Sequence, residues 1–165
     1  MKISKKIEVA INQQINRELY SGYLYLSMSA YFESINLQGF AHWMRVQTQE
    51  EEGHAMRLYK YLAERRGRVI LNAIEAPEIE WKSPLDVFEH TYKHEQEVTK
   101  MIDSLVKLAE QEDDNATRVM LNWFVNEQVE EEAQAEIILK KLEMISGFKA
   151  GLMIMDKELA QRKKD

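Results

Sequence analysis

The chain has 165 residues, 45% of them hydrophobic and 30% charged, a globular balance with enough length to bury one substantial core. A formal charge of -6 opposes a nucleic-acid surface, and the absence of cysteine excludes disulfides, thiolate metal sites and iron–sulfur clusters. No apolar run reaches membrane-spanning length and MKISKKIEVAINQQ lacks the apolar core of a signal peptide, so a soluble cytoplasmic protein with no membrane partner is expected.

Six glycines and two prolines permit long helices, and four long segments carry helical periodicity. The first is expected over about 4–35, ending at Asn36-Leu37-Gln38-Gly39, where the glycine reads as a helix stop. The second is expected over about 40–66, closing on Arg65, Arg66 and Gly67, with positive charge suited to a helix C-terminus. Residues 67–82 have scattered apolar positions, Pro77 and no helical period, and read as an extended connection. Ser83-Pro84 then offers an N-cap followed by proline at the first helical position, with Asp86 in the first turn, opening a third helix to about residue 112. Asp113-Asp114-Asn115 separates it from a fourth, over about 115–146, and a short fifth helix is expected over about 148–162.

Helices joined by short loops pack antiparallel, whereas the 67–82 connection is long enough to span the roughly 40 Å of a 27-residue helix. It returns the chain so that helices two and three run parallel. The expected fold is therefore all-α: a single-domain four-helix bundle spanning 1–165, with one long crossover between helices two and three plus a short C-terminal fifth helix.

The stripes that should face the core are mostly apolar, yet each is interrupted by acid near its middle. They read Ile11, Ile15, Glu18, Gly22, Tyr25, Ser29, Phe32 in helix one and Phe40, Met44, Gln47, Glu51, His54, Leu58, Tyr61 in helix two. Helix three contributes Phe88, Thr91, Glu95, Val98, Ile102, Leu105, and helix four Met120, Phe124, Glu127, Glu131, Ala135, Ile138, Leu142. Burying an ion costs several kcal/mol, against a total domain stability of about 5–15 kcal/mol, and no Lys or Arg shares these stripes. Either the acids hold protons or they surround a cation. Glu51 and His54, three apart, share one helix face. With Glu18, Glu95 and Glu131 they offer oxygen ligands and one imidazole, which suits iron, manganese or zinc better than copper(I), the excess carboxylate favouring iron. Two metals could share Glu51 as a bridge. A lone Glu-x-x-His is a weak signal, and acidic runs are ordinarily solvated faces; the coincidence of four interrupted seams carries the metal reading.

NREL with Glu18, YLYLSM with Tyr25, GFAHWM, QEEEGHA with Glu51 and His54, KHEQEVT with Glu95, and NWFVNEQVEEE with Gln128 and Glu131 together resemble a ferritin, over the whole chain. The resemblance implies the ferritin-like bundle, whose single long crossover matches the expected topology. It implies a first iron on Glu18, Glu51 and His54 and a second on Glu51, Glu95 and Glu131, with Gln128 nearby. Prokaryotic ferritins add a third iron, which falls here on Glu50, Glu127 and Glu130. Tyr25 resembles the family's tyrosine that donates an electron during oxygen reduction. The implied activity is ferroxidase: Fe(II) is oxidised by dioxygen or hydrogen peroxide and stored as Fe(III) mineral in a cage of 24 subunits, the fifth helix lining the four-fold axes.

Departures narrow the resemblance to haem-free prokaryotic ferritins. Bacterioferritins place a haem-binding methionine directly after the helix-two bridging glutamate, where this chain has Glu52, and a second Glu-x-x-His in helix four, where Glu127 is followed by Glu130. Animal ferritins line three-fold channels with acids at positions that are Arg118 and Leu121 here. A discrete di-metal oxidase would share every ligand named. His42, His90 and His94 read as surface or packing residues, Met153 and Met155 as apolar packing at a subunit interface, and Arg162-Lys163-Lys164 as a solvated terminus.

Overall fold

The computed structural model describes residues 2–163, and among them the regular structure is entirely helical: α1 (Lys5–Ser34), α2 (Gln38–Glu64), α3 (Pro84–Gln111), α4 (Asn115–Met144) and α5 (Lys149–Leu159). None is long and apolar enough to cross a membrane. Three helices begin on side-chain caps that satisfy amide donors the helix itself leaves open. Ser4 Oγ accepts from the Ile7 amide, Ser83 Oγ from the Asp86 amide, and the Asp114 side chain from the Thr117 amide. Pro84 opens α3 as the sequence predicts.

The helix ends differ in detail from expectation. α1, α2 and α3 each close on a non-glycine residue in the left-handed region: Asn36 (φ 61°), Arg66 (φ 58°) and Asp113 (φ 52°). The amide that follows each one reaches back five residues, Leu37 to Phe32 O, Gly67 to Leu62 O and Asp114 to Ala109 O. Gly39 does not stop a helix. It is the second residue of α2, and a Cβ there would lie 1.7 Å from the Asp156 carbonyl oxygen. Glycine is needed because α5 packs directly on the start of α2, where Asp156 Oδ1 accepts from the Gly39 and Phe40 amides at 2.8 and 3.1 Å.

α1 packs on α2 and α3 on α4, the two hairpins of the expected bundle. The connection between them is extended and runs alongside α1. Asn12 holds it at Arg68 O and the Ile70 amide, Asn16 at Ala73 O, and Ser27 at Glu78 O. Arg65, at the end of α2, grips Asp114 with both guanidinium nitrogens and so ties that end to the start of α4.

The interior is two apolar clusters with a polar layer between them. One gathers Tyr25, Met28, Phe32, Phe40, Met44, Phe88, Leu142 and, from α5, Met155 and Leu159. The other gathers Ile7, Ile11, Ile15, Leu58, Leu62, Val98, Ile102, Leu121 and Phe124. The mid-helix acids lie at the level where one gives way to the other.

Candidate metal centre

Each of the four long helices delivers a carboxylate to that layer at one height. Glu18, Glu51, Glu95 and Glu131 are 1%, 2%, 2% and 4% exposed, and His54 is 4% exposed. Ligand atoms of Glu18, Glu51 and His54 lie within 4.8 Å of one another, and so do those of Glu51, Glu95 and Glu131. Glu51 belongs to both groups, as a bridge would. A third group, His54, Glu127 and Glu131, adjoins them on the α4 side.

A ring of amides and one phenol orients these ligands. Gln14 Nε2 donates to Glu18 Oε1 at 2.7 Å, and Gln47 Nε2 donates to Glu51 Oε1 at 3.0 Å and to Glu131 Oε2 at 2.7 Å. Tyr25 donates its hydroxyl proton to Glu95 Oε1, and Gln128 Nε2 donates to Glu95 Oε2 at 3.2 Å. Gln128 also donates to Thr99 Oγ1 at 3.3 Å, and Thr99 in turn donates to Glu132. Gln14 and Thr99 were not anticipated. The signal for the first is a repeated spacing: a glutamine stands four residues before Glu18 and again before Glu51. Thr99 has no such signal, because besides Glu95 O in its own helix its partners Gln128 and Glu132 come from α4.

Burial dominates the electrostatics. It pushes Glu51 well above the usual carboxylate range, Glu95 up to about 7 and Glu131 up to about 8, with neighbouring carboxylates adding to the rise. Burial also acts to lower His54, but the carboxylates of Glu18 and Glu51, 3.6 and 3.4 Å from its Nδ1, outweigh it and hold the imidazole up to about 11. Tyr25, buried and facing Glu95, is held well above its ordinary value and stays a neutral donor. Burial thus favours the protonated form of Glu51, Glu95 and Glu131, and a cation at the site would replace those protons. Glu18 Oε2 has no hydrogen-bond partner among the described residues although it is buried. An orphaned carboxylate oxygen 3.6 Å from His54 Nδ1, within a closed set of hard oxygen donors, fits a divalent cation.

The residues assigned to a third iron lie beside this set. Glu50, Glu127 and Glu130 line one cavity of about 480 Å³ with His54, Arg57 and Trp123. His54 Nε2 is 3.7 Å from Glu127 Oε1, and Glu130 is exposed. Between residues 120 and 131 the buried α4 positions are Leu121, Phe124, Gln128 and Glu131, so the core stripe passes through Leu121 and Gln128 in place of the expected Met120 and Glu127, which sit half-buried on its shoulder.

Other expectations are resolved by packing. His94 is buried, its Nε2 2.8 Å from Ser21 Oγ and its ring edge-on to Tyr25, and burial lowers it to about 4. His90 accepts from the Trp81 indole, and His42 is bonded to Arg162 O. Met155 is in the core, whereas Met153 is 70% exposed. The tail is not simply solvated. Arg162 pairs with Glu50 and stacks over Trp43, because α5 brings the chain end back across α2; Lys163 is exposed, and Lys164 lies outside the described residues.

Comparison with known proteins agrees with this fold. Residues 8–145 match the model of the ferritin-like domain. A bacterial non-heme ferritin of Bacteroides fragilis is 46% identical over 97% of this chain and 99% of its own length; one from Staphylococcus aureus is 36% identical over 97% and 96%. Among solved structures, an open pore ferritin from the hyperthermophilic archaeon Archaeoglobus fulgidus is 55% identical with a TM-score of 0.97, covering 98% of each chain. A humanized archaeal ferritin is 53% identical with a TM-score of 0.98, covering 99% of each. With an all-helical bundle that superposes on these structures along its whole length, and with sequence identity well beyond chance, the chain belongs to the ferritin family of iron-storage proteins.

Proposed function

We propose that this chain is a ferroxidase subunit that oxidises Fe(II) at an intrasubunit di-iron centre and deposits the Fe(III) as mineral inside a 24-subunit cage. The observation that carries the reading is the pair of donor groups sharing Glu51 in a polar layer between two apolar clusters. Iron is the substrate here. One ferrous ion would be held by Glu18, Glu51 and His54 and the other by Glu51, Glu95 and Glu131. Two adjacent ions deliver two electrons together to dioxygen or hydrogen peroxide, without release of a one-electron oxygen radical. Carboxylates favour Fe(III) over Fe(II) through charge, so the ligand set assists oxidation. Tyr25 and Gln128 hold Glu95 in place, and the cavity at Glu50, Glu127 and Glu130 offers the oxidised ion a next position. No haem is part of this reading.

Assembly is supported by apolar surface that a lone subunit would leave wet. Met144, Phe148, Met153 and Ile154 around α5 are 85%, 63%, 70% and 66% exposed, and Leu71 and Ile79 on the crossover are 67% and 71% exposed. A cytoplasmic location belongs to the same reading.

The test is iron retained per chain. Metal-free protein receives ferrous iron in aerobic increments and passes through a sizing column with iron and protein assayed together. Iron far beyond what the ligands hold, eluting with a very large particle, is expected. Saturation at two or three ions per chain would leave a discrete di-metal oxidase, and no retained iron would overturn the metal reading.

A further inference from the structure

Arg162 stands 112 positions from Glu50 in sequence, yet its side chain closes on that carboxylate. Nη2 donates to Glu50 Oε2 at 2.5 Å, and both side chains are only 11% exposed. Nη1 donates to Trp43 O at 3.3 Å, and the guanidinium carbon lies 4.1 Å from the centre of the Trp43 ring. His42 Nε2, 2.8 Å from Arg162 O, fixes the backbone as well. These contacts hold the guanidinium in one place, and a planar fork over an indole face is what such a place selects.

Glu50 is at the same time a wall of the cavity that includes His54, Glu127 and Glu130. Among the described residues, the donor group on that side draws on His54, Glu127 and Glu131 and does not include Glu50. The carboxylate that would complete a third position is thus already engaged by a cation built into the chain. A divalent ion at Glu50 and a guanidinium at Glu50 are like charges on one ligand, so each weakens the other.

We infer that Arg162 is an internal competitor for the third iron position: the guanidinium holds Oε2 of Glu50, an ion binding through that carboxylate meets its positive charge, and Arg162 thereby lowers the site's affinity. The inference rests on the third-site reading above. Because Arg162 also anchors the chain end to Trp43, occupancy of the site and attachment of the residues after α5 are reciprocally coupled.

The test is calorimetric titration of the assembled, metal-free protein with Zn2+, which reports binding without redox chemistry. The parent is expected to bind two ions per chain tightly and a third weakly. Arg162→Gln should tighten the third by roughly tenfold or more, as loss of a charge-assisted hydrogen bond implies, leaving the first two unchanged. Glu50→Gln should remove the third ion whether or not Arg162 is present. Arg162→Lys keeps the charge but loses the fork, so it should show a smaller rise, and it serves if the glutamine variant fails to assemble. A third ion that depends on Glu50 but binds equally well in the parent and both Arg162 variants would overturn the inference. So would an equal rise in Arg57→Gln, which removes a positive charge from the same cavity without touching the pair. A third ion missing from parent and Arg162 variants alike, with the first two intact, would overturn the third-site reading itself.

Discussion

Replacing Glu95 by Gln should stabilise the metal-free protein, and only above mildly acidic pH. The Glu95 carboxyl is buried, accepts from Tyr25 and Gln128, and is pushed up from 4.5 to about 7. Between those values the folded chain holds a proton that the unfolded chain releases, so stability present below pH 4.5 is lost as pH rises through 7. At about 1.4 kcal/mol per pKa unit, the loss at this residue is about 3 kcal/mol by pH 8. Glutamine is close in shape to the protonated acid. Its oxygen accepts from Tyr25, and the Gln128 amide can turn to present its own oxygen to the new NH2 group. At pH 4.5 the variant and parent should therefore melt together. At pH 8 the variant should melt roughly 6–12 °C higher, at 2–4 °C per kcal/mol for a chain of this size. The assay is a thermal scan of metal-free cages at matched protein concentration across pH 4.5–8, since assembly contributes to the midpoint. Added Zn2+ should raise the parent more than the variant, which has lost one ligand. Parallel pH profiles for the two proteins would refute the reasoning, because they would mean that no proton is retained at residue 95.

Glu51→Ala should slow rapid Fe(II) oxidation by more than about 100-fold, since it removes a ligand from both donor groups, and stopped-flow absorbance of Fe(III) would show it; a parent-like rate would exclude the bridging assignment. Gly39→Ala should cost about 1–3 kcal/mol and loosen α5, because its Cβ would overlap the Asp156 carbonyl; hydrogen exchange in α5 should rise, and unchanged protection would show that the two helices accommodate the methyl.

Much of the centre is legible in the sequence, because a helix repeats every 3.6 residues and the members of a core stripe recur every three or four positions. Glu18, Glu51, His54, Glu95 and Glu131 stand on such stripes, and an acid is conspicuous where apolar residues are required. The crossover was legible for the opposite reason, its lack of any period. Where the stripe reading slipped, on α4, the cause was a run of near-equivalent choices. Met120 and Leu121, or Glu127 and Gln128, are neighbours 100° apart on the helix, and only packing against the other helices decides which of each pair turns inward.

The sequence by itself therefore determined the helices, their pairing and the identity of the buried acids, because each of these follows from periodicity, cap residues and loop length within a local window. Tertiary structure alone decided what surrounds the acids. Thr99 reaches Gln128 and Glu132 on the facing helix, and Asp156 crosses to Gly39 from 117 positions away. Arg162, which reads as one more charge on a solvated tail, comes to rest on Glu50 only because α5 folds back along α2. No local pattern encodes such meetings. They depend on where the bundle carries the chain end, and a charge shows its partner only once the fold has brought the two together.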